Sequence, residues 1–227
     1  MNTIIMKRNG YLRLLQALDS LFPIGTFTLS NGMETYVQKN LVCNAETLTE
    51  FLNAYIYTLP TNDLGFAAKA AMGEPFKMLD EICTASKSPW ELRNGSKKQC
   101  IRLIKAEKVL GEYDALNHYA EMIDSGVCSG CYAVALGLFM KDTNTDIVQG
   151  LEMVCYSFLS SMVNHAVKLI PLRQLDGQKC LSKVMEKIPD AVQKAMHISV
   201  EDLGISGVGF DLRSMQHEKL YSRLYIS

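Results

Sequence analysis

The chain has 227 residues, 23 Lys and Arg against 24 Asp and Glu, and 48% hydrophobic residues. A chain of this size buries roughly 70% of its extended surface, enough for a core that needs no disulfide or metal to hold it together. The near-zero charge argues against a non-specific nucleic-acid binder, which needs an excess of cations, and the longest uncharged run, Ser125 to Met140, has 16 residues where a membrane helix needs roughly 20.

At the N-terminus Ile4, Ile5 and Met6 precede Lys7 and Arg8. That reverses the charge-then-apolar order of a secretory signal, so a cytoplasmic location is expected and residues 1–10 read as an N-terminal tail. Phe22 to Gly32 mixes turn formers with side chains that need burial, the mark of a structured loop. Leu48, Phe51, Leu52, Tyr55, Ile56 and Leu59 then recur in steps of three and four, predicting a helix capped by Asn44 and ended by Pro60. Asp80-Glu81 reads as a solvated helix end. Ser88-Pro89-Trp90-Glu91 reads as a helix start, with Ser88 as N-cap, Pro89 at the first position and Glu91 closing a capping box.

Asn94-Gly95 reads as a turn between helices. One long helix is expected through Leu103, Ala106, Leu110, Tyr113, Leu116, Ala120 and Ile123, with Lys105, Lys108, Glu112 and Asp114 off its apolar stripe. Cys128 to Met140 is apolar on all sides, which places a helix inside a bundle or at a subunit contact. The helical period resumes at Ile147, Leu151, Val154, Phe158, Met162 and Ala166, and Asp176-Gly177 reads as another turn. Glu201-Asp202, following Ser199, suits a helix first turn. After the Gly-dense stretch Gly204 to Phe210, the residues Leu220, Tyr221, Leu224 and Tyr225 form an apolar stripe. They predict an amphipathic C-terminal helix that docks on its own body or meets a partner. No lasting alternation of period two occurs, so the expected fold is all-α: one helical bundle of about eight to ten helices over residues 1–227, with 204–227 as the partner-binding segment.

Signatures of catalysis are missing. There is no G-x-x-x-x-G-K-[ST] nucleotide loop, no H-E-x-x-H and no G-x-S-x-G. His118, His165, His197 and His217 are too dispersed for ligand spacing. Seven cysteines lack the regular spacing of a secreted disulfide framework and read mostly as small buried hydrophobes. Cys128-Ser129-Gly130-Cys131 leaves three readings open: core packing, two ligands of a soft metal, or a redox pair with a thiol pKa lowered by a helix N-terminus.

Three segments carry a family resemblance. Leu14 to Ser20, Phe22-Pro23-Ile24-Gly25, Phe27 and Ser30-Asn31-Gly32-Met33-Glu34-Thr35-Tyr36 form the first. Ala166-Val167-Lys168-Leu169-Ile170-Pro171-Leu172-Arg173-Gln174-Leu175-Asp176-Gly177-Gln178 is the second, and Phe210-Asp211-Leu212 with Met215-Gln216-His217-Glu218-Lys219-Leu220-Tyr221-Ser222-Arg223-Leu224-Tyr225 the third. In order and together they resemble the urease accessory protein UreF family. Arg173 stands where that family commonly has glycine, Met33 where it has leucine, and Cys131 about where many members carry histidine.

The resemblance implies an all-α, dimeric, non-enzymatic chaperone of urease maturation. It would bridge the accessory protein UreD, called UreH in some bacteria, and the nickel-carrying GTPase UreG, and so help deliver nickel to apo-urease. It implies no stably bound cofactor, the nickel being handled by the complex, and neither nucleic acid nor membrane as partner. Carried over by position, Glu34 and Lys168 match residues implicated in contact with the GTPase. Tyr36 and Arg223 match a pair that holds the C-terminal segment in its working position, the guanidinium being suited to bonding carbonyls and stacking on the ring. His217, Glu218 and Tyr221 belong to the same C-terminal motif and are expected at the partner-binding surface. The alternative function is metal or thiol-redox chemistry at Cys128 and Cys131.

Overall fold

The computed structural model describes residues 2–26 and 29–225, with the side chains of 10–26 and 29–225. Phe27 and Thr28 of the loop, and Met1, Ile226 and Ser227 at the ends, lie outside the described residues. The helices are α1 (Asn2–Leu18), α2 (Met33–Gln38), α3 (Ala45–Thr58), α4 (Asp63–Met72), α5 (Phe76–Ser86), α6 (Trp90–Leu110), α7 (Asp114–Asp124), α8 (Tyr132–Asp142), α9 (Ile147–Leu169), α10 (Gln174–Met185), α11 (Ile188–His197) and α12 (Val208–His217). No strand occurs among the described residues, and the expected all-α fold is what forms. The stretch read as an N-terminal tail is helical from Asn2 onward. No helix of the described residues is long and apolar enough to cross a membrane.

The uncharged run from Cys128 to Met140 makes the centre. Every residue from Tyr132 to Met140 is buried, because α4, α6 and α7 all pack on α8. The contact with α4 is the most intimate: a Cβ on Gly137 of α8 would sit 2.6 Å from Ala70 Cβ and 3.0 Å from the Ala71 nitrogen, so small residues on both sides let the two helix axes approach. Around this pair, α3 starts as its sequence predicts: the Asn44 side chain accepts from the Thr47 N–H while the Thr47 hydroxyl accepts from the Asn44 N–H. Pro60 sits in the 3-10 turn that ends it.

Elsewhere local signals give way to tertiary contacts. The long helix expected through Leu103 and Ile123 is two helices. Gly111 is extended (φ −178°, ψ −179°), and the start of α7 is held by the Asp142 carboxylate, which accepts from the N–H groups of Ala115 and Leu116. The apolar period runs across this break unchanged, so it left no trace in the pattern. Asn94-Gly95 and Asp176-Gly177 are not turns but lie inside α6 and α10. Their glycines make room for neighbours: a Cβ on Gly95 would sit 2.9 Å from Leu29 Cδ1, and one on Gly177 would sit 2.7 Å from Val167 Cγ2.

The capping box at Ser88 does not form. Pro89 is the N-cap of α6, with no side-chain cap, and Glu91 turns elsewhere. Asp80, read as solvated, is buried in α5 and organises the entry to α8. Its carboxylate accepts from the Tyr119 hydroxyl and from the N–H groups of Ser129 (2.7 Å) and Gly130 (2.9 Å). The Tyr119 and Ser96 oxygens in turn accept from the N–H groups of Cys131 and Tyr132. Two donors that the first turn of α8 would leave orphaned are thereby satisfied.

The C-terminal helix is displaced from its expected position. It occupies Val208–His217, and Leu220 to Tyr225 is not helical. The N–H groups of Leu224 and Tyr225 donate to the side chain of Glu34, so they are taken from the backbone carbonyls that a helix would require.

Candidate functional site

The irregular segment after α12 is held by a cluster of polar side chains, built on two buried carboxylates and drawn from distant parts of the chain. Glu34, in the first turn of the short helix α2, and Glu91, in the first turn of α6, are both buried. His217, at the end of α12 and with no exposed surface, lies between them: its Nδ1 is 2.6 Å from Glu91 Oε2 and its Nε2 is 3.1 Å from Glu34 Oε2. Arg223 approaches the other oxygen of Glu91, Nη1 to Oε1 2.8 Å. Glu34 also receives the Leu224 N–H on Oε1 (2.7 Å) and the Tyr225 N–H on Oε2 (3.2 Å). Two carboxylates thus gather an imidazole, a guanidinium and two backbone donors. Charges taken out of water persist only when paired and hydrogen-bonded in this way.

Apolar contacts surround the latch. Tyr225 is buried with its ring edge-on to His165, centroids 4.7 Å apart; its hydroxyl finds no hydrogen-bond partner among the described residues, and burial, with Glu34 nearby, pushes its pKa up. Tyr36, two residues after Glu34, packs with Phe51 of α3 (5.0 Å) and with Phe210 of α12 (5.8 Å). Burial raises its pKa, and Arg213 works against that. The Gln38 side chain donates to the Ser222 carbonyl across 2.9 Å. Outside these anchors Tyr221 and Leu224 project into solvent, as do Val208, Leu212 and Met215 of α12.

Of the residues singled out from the sequence, Glu34, His217 and Arg223 meet in one cluster, and Tyr36 lies beside it. The pairing within it differs from expectation. Arg223 binds the Glu91 carboxylate, and the cation over the Tyr36 ring is Arg213, 6.0 Å from its centroid. Lys168, in the last turn of α9, and Glu218, just after α12, are exposed and make no ion pair among the described residues; Tyr221 is fully exposed. Glu91 is the functional candidate that sequence reasoning missed. Its place three residues after a serine and two after a proline imitates a helix-start signal, and nothing local distinguishes the two roles.

The C-x-x-C motif is not a pair in space. Cys131 is joined to Cys83 of α5 by a disulfide, with Cα atoms 6.6 Å apart, while Cys128 is a free, buried thiol. Burial first and Asp80 second push the Cys128 thiol pKa up, against the lowering that a helix N-terminus could produce. Among the described residues no group of three or more His, Cys, Asp or Glu is arranged to hold a metal ion.

Comparison with known proteins points one way. The family model named UreF matches residues 42–185, a span that holds Glu91. The chain is 33% identical over 225 residues to the urease accessory protein UreF of Actinobacillus pleuropneumoniae serotype 5b, an alignment covering 94% of this chain and 97% of that protein. It is 32% identical over 228 residues to the protein of that name from Lachnoclostridium phytofermentans, with 96% and 99% covered. To the one from Haemophilus influenzae it is 31% identical over 225 residues, covering 94% of each.

Proposed function

The chain belongs to the UreF family of urease accessory proteins and so serves urease maturation, and we propose that within it this protein is a non-catalytic scaffold. In this reading it works as a cytoplasmic homodimer that bridges UreD or UreH and the GTPase UreG. Nickel passes to apo-urease through the assembly without a resident site on this chain. Nucleotide hydrolysis belongs to the GTPase, in keeping with a sequence that has no phosphate-binding loop.

One observation carries the proposal: the Glu34–His217–Glu91–Arg223 latch fixes an irregular segment whose apolar side chains, Tyr221 and Leu224, point to solvent. A monomer gains nothing by holding large apolar groups in water, whereas preorganising them lowers the ordering cost of association. The latch is then the device that readies the surface, with Tyr36 steadying α12 from below and Lys168 and Glu218 at the contact rim.

The test is co-purification of the full chain with UreD or UreH and UreG, together with urease activation in cells. Tyr221→Ser/Leu224→Ser, which alters only exposed side chains, is expected to abolish assembly while leaving the melting temperature unchanged. Normal assembly and activation by this variant would overturn the assignment of the C-terminal segment.

A further inference from the structure

The long helix α6 has an outward face that the latch does not use. Lys97, Lys98, Arg102, Lys105 and Lys108 are all exposed, and the only acids of the helix, Glu91 and Glu107, are buried. None of the five cations forms an ion pair among the described residues. Along the helix Lys98 and Arg102 are four apart, Arg102 and Lys105 three, and Lys105 and Lys108 three, so each is a like-charged surface neighbour of the next. A solvated helix normally interleaves Glu at such positions. Here a repulsive row sits on a chain whose net charge is −1, so the positive field is local to this face.

Apolar groups flank the row. Trp90, 59% exposed, begins the face, and Val109, 85% exposed, ends it; both lie on the same side as the cations at 3.6 residues per turn. The Arg102 guanidinium is steadied by the Ile24 carbonyl. Beside it opens a small cavity of about 60 Å³, lined by Leu29, Trp90, Asn94, Lys98 and Arg102 and also by Glu91, whose carboxylate is already engaged by His217 and Arg223.

We propose that this face of α6 docks an acidic protein segment, its carboxylates meeting the Lys98–Arg102–Lys105 row and an apolar side chain seating against Trp90 in the cavity. Charge complementarity identifies the partner. The aliphatic end at Val109, the seat for an apolar side chain and the chain's overall charge favour a polypeptide over a nucleic acid, which would want an excess of cations and several aromatic platforms. The inference does not rest on the latch or on the bridging role.

Trp90 is the single tryptophan of the chain, so its emission reports directly on docking. The full chain is titrated with a tryptophan-free, glutamate- and leucine-rich synthetic peptide, and in parallel with an oligothymidylate of equal charge. The peptide is expected to shift the emission to the blue saturably, and to bind more weakly between about 50 and about 300 mM salt as the charges are screened. Lys98→Gln/Arg102→Gln/Lys105→Gln should weaken it by about tenfold or more, while Lys179→Gln/Lys183→Gln/Lys187→Gln, the same charge change elsewhere, should not. The α6 variant relieves like-charge repulsion and gives up the Arg102–Ile24 hydrogen bond, so its melting temperature is expected to change little. Absence of a shift, equal loss in both variants, or oligothymidylate binding as tightly through the same residues would each overturn the proposal.

Discussion

His217 Nδ1 and Glu91 Oε2 are 2.6 Å apart although 126 positions separate the two residues in the chain. With Glu34 on the other ring nitrogen, the imidazole is the only side-chain group that touches both buried carboxylates among the described residues.

His217→Ala should therefore leave two acids buried without the group between them. Leaving buried hydrogen-bonding groups without a partner costs about 1–3 kcal/mol, and more where the group is charged, so denaturant melts should show a loss of at least that order. Adding Glu34→Gln to the variant should return part of it, since a neutral amide is cheaper to bury. A double-mutant cycle measures the coupling directly.

Arg223→Ala should separate stability from order. The Arg223 side chain is 40% exposed, so its loss is expected to cost only about 1 kcal/mol or less. The segment from Leu220 to Tyr225 should nonetheless exchange amide hydrogens faster, the Leu224 and Tyr225 amides most of all, while Lys168→Ala leaves them protected. Equal protection in both variants would show that Arg223 does not position the segment.

Tyr225→Phe removes a buried hydroxyl that has no partner among the described residues and keeps the ring against His165. Deleting an unsatisfied polar group is neutral or stabilising, by about 1 kcal/mol, so the variant should melt no lower than the natural protein. Tyr225→Ala, which empties the site of the ring, should melt lower.

Glu107 supplies a pH signature. It is buried with Oε2 unpartnered among the described residues, and burial raises its pKa, with Arg13 and the Tyr113 hydroxyl opposing. A carboxyl whose pKa is higher folded than unfolded holds more protons in the native state, so its contribution is fully present at low pH and is lost as pH rises through the folded value. Glu107→Gln should remove that dependence. Thermal melts between about pH 5 and about pH 8 should show the variant gaining on the natural protein as pH rises.

Much of the scaffold was legible in the sequence because it depends on local chemistry. Asn44 and Thr47 cap a helix with groups three residues apart, Pro60 ends it, and the all-round apolar run became the buried α8. What escaped depends on partners far along the chain. The start of α7 is held by Asp142, the burial of Asp80 by Tyr119 and the backbone of residues 129–130, and the fate of Glu91 by residues more than a hundred positions away. Gly95 and Gly177 misled for a related reason: glycine permits a turn and a close approach equally, and only the neighbouring side chain tells which is in use. Within the latch, Glu34, His217 and Arg223 could be picked out by family likeness, but their joint partner Glu91 could not.

The latch also imposes an order on synthesis. Glu34 and Glu91 leave the ribosome long before His217 and Arg223 do, so for part of its life the nascent chain has both carboxylates and neither of the side chains that pair with them. Until the later residues emerge, α12, which packs on both α2 and α6 in the folded chain, cannot bring its imidazole between the two acids. A chain cut short before His217 keeps α6 packed on α8 but leaves Glu34 and Glu91 without the imidazole that joins them.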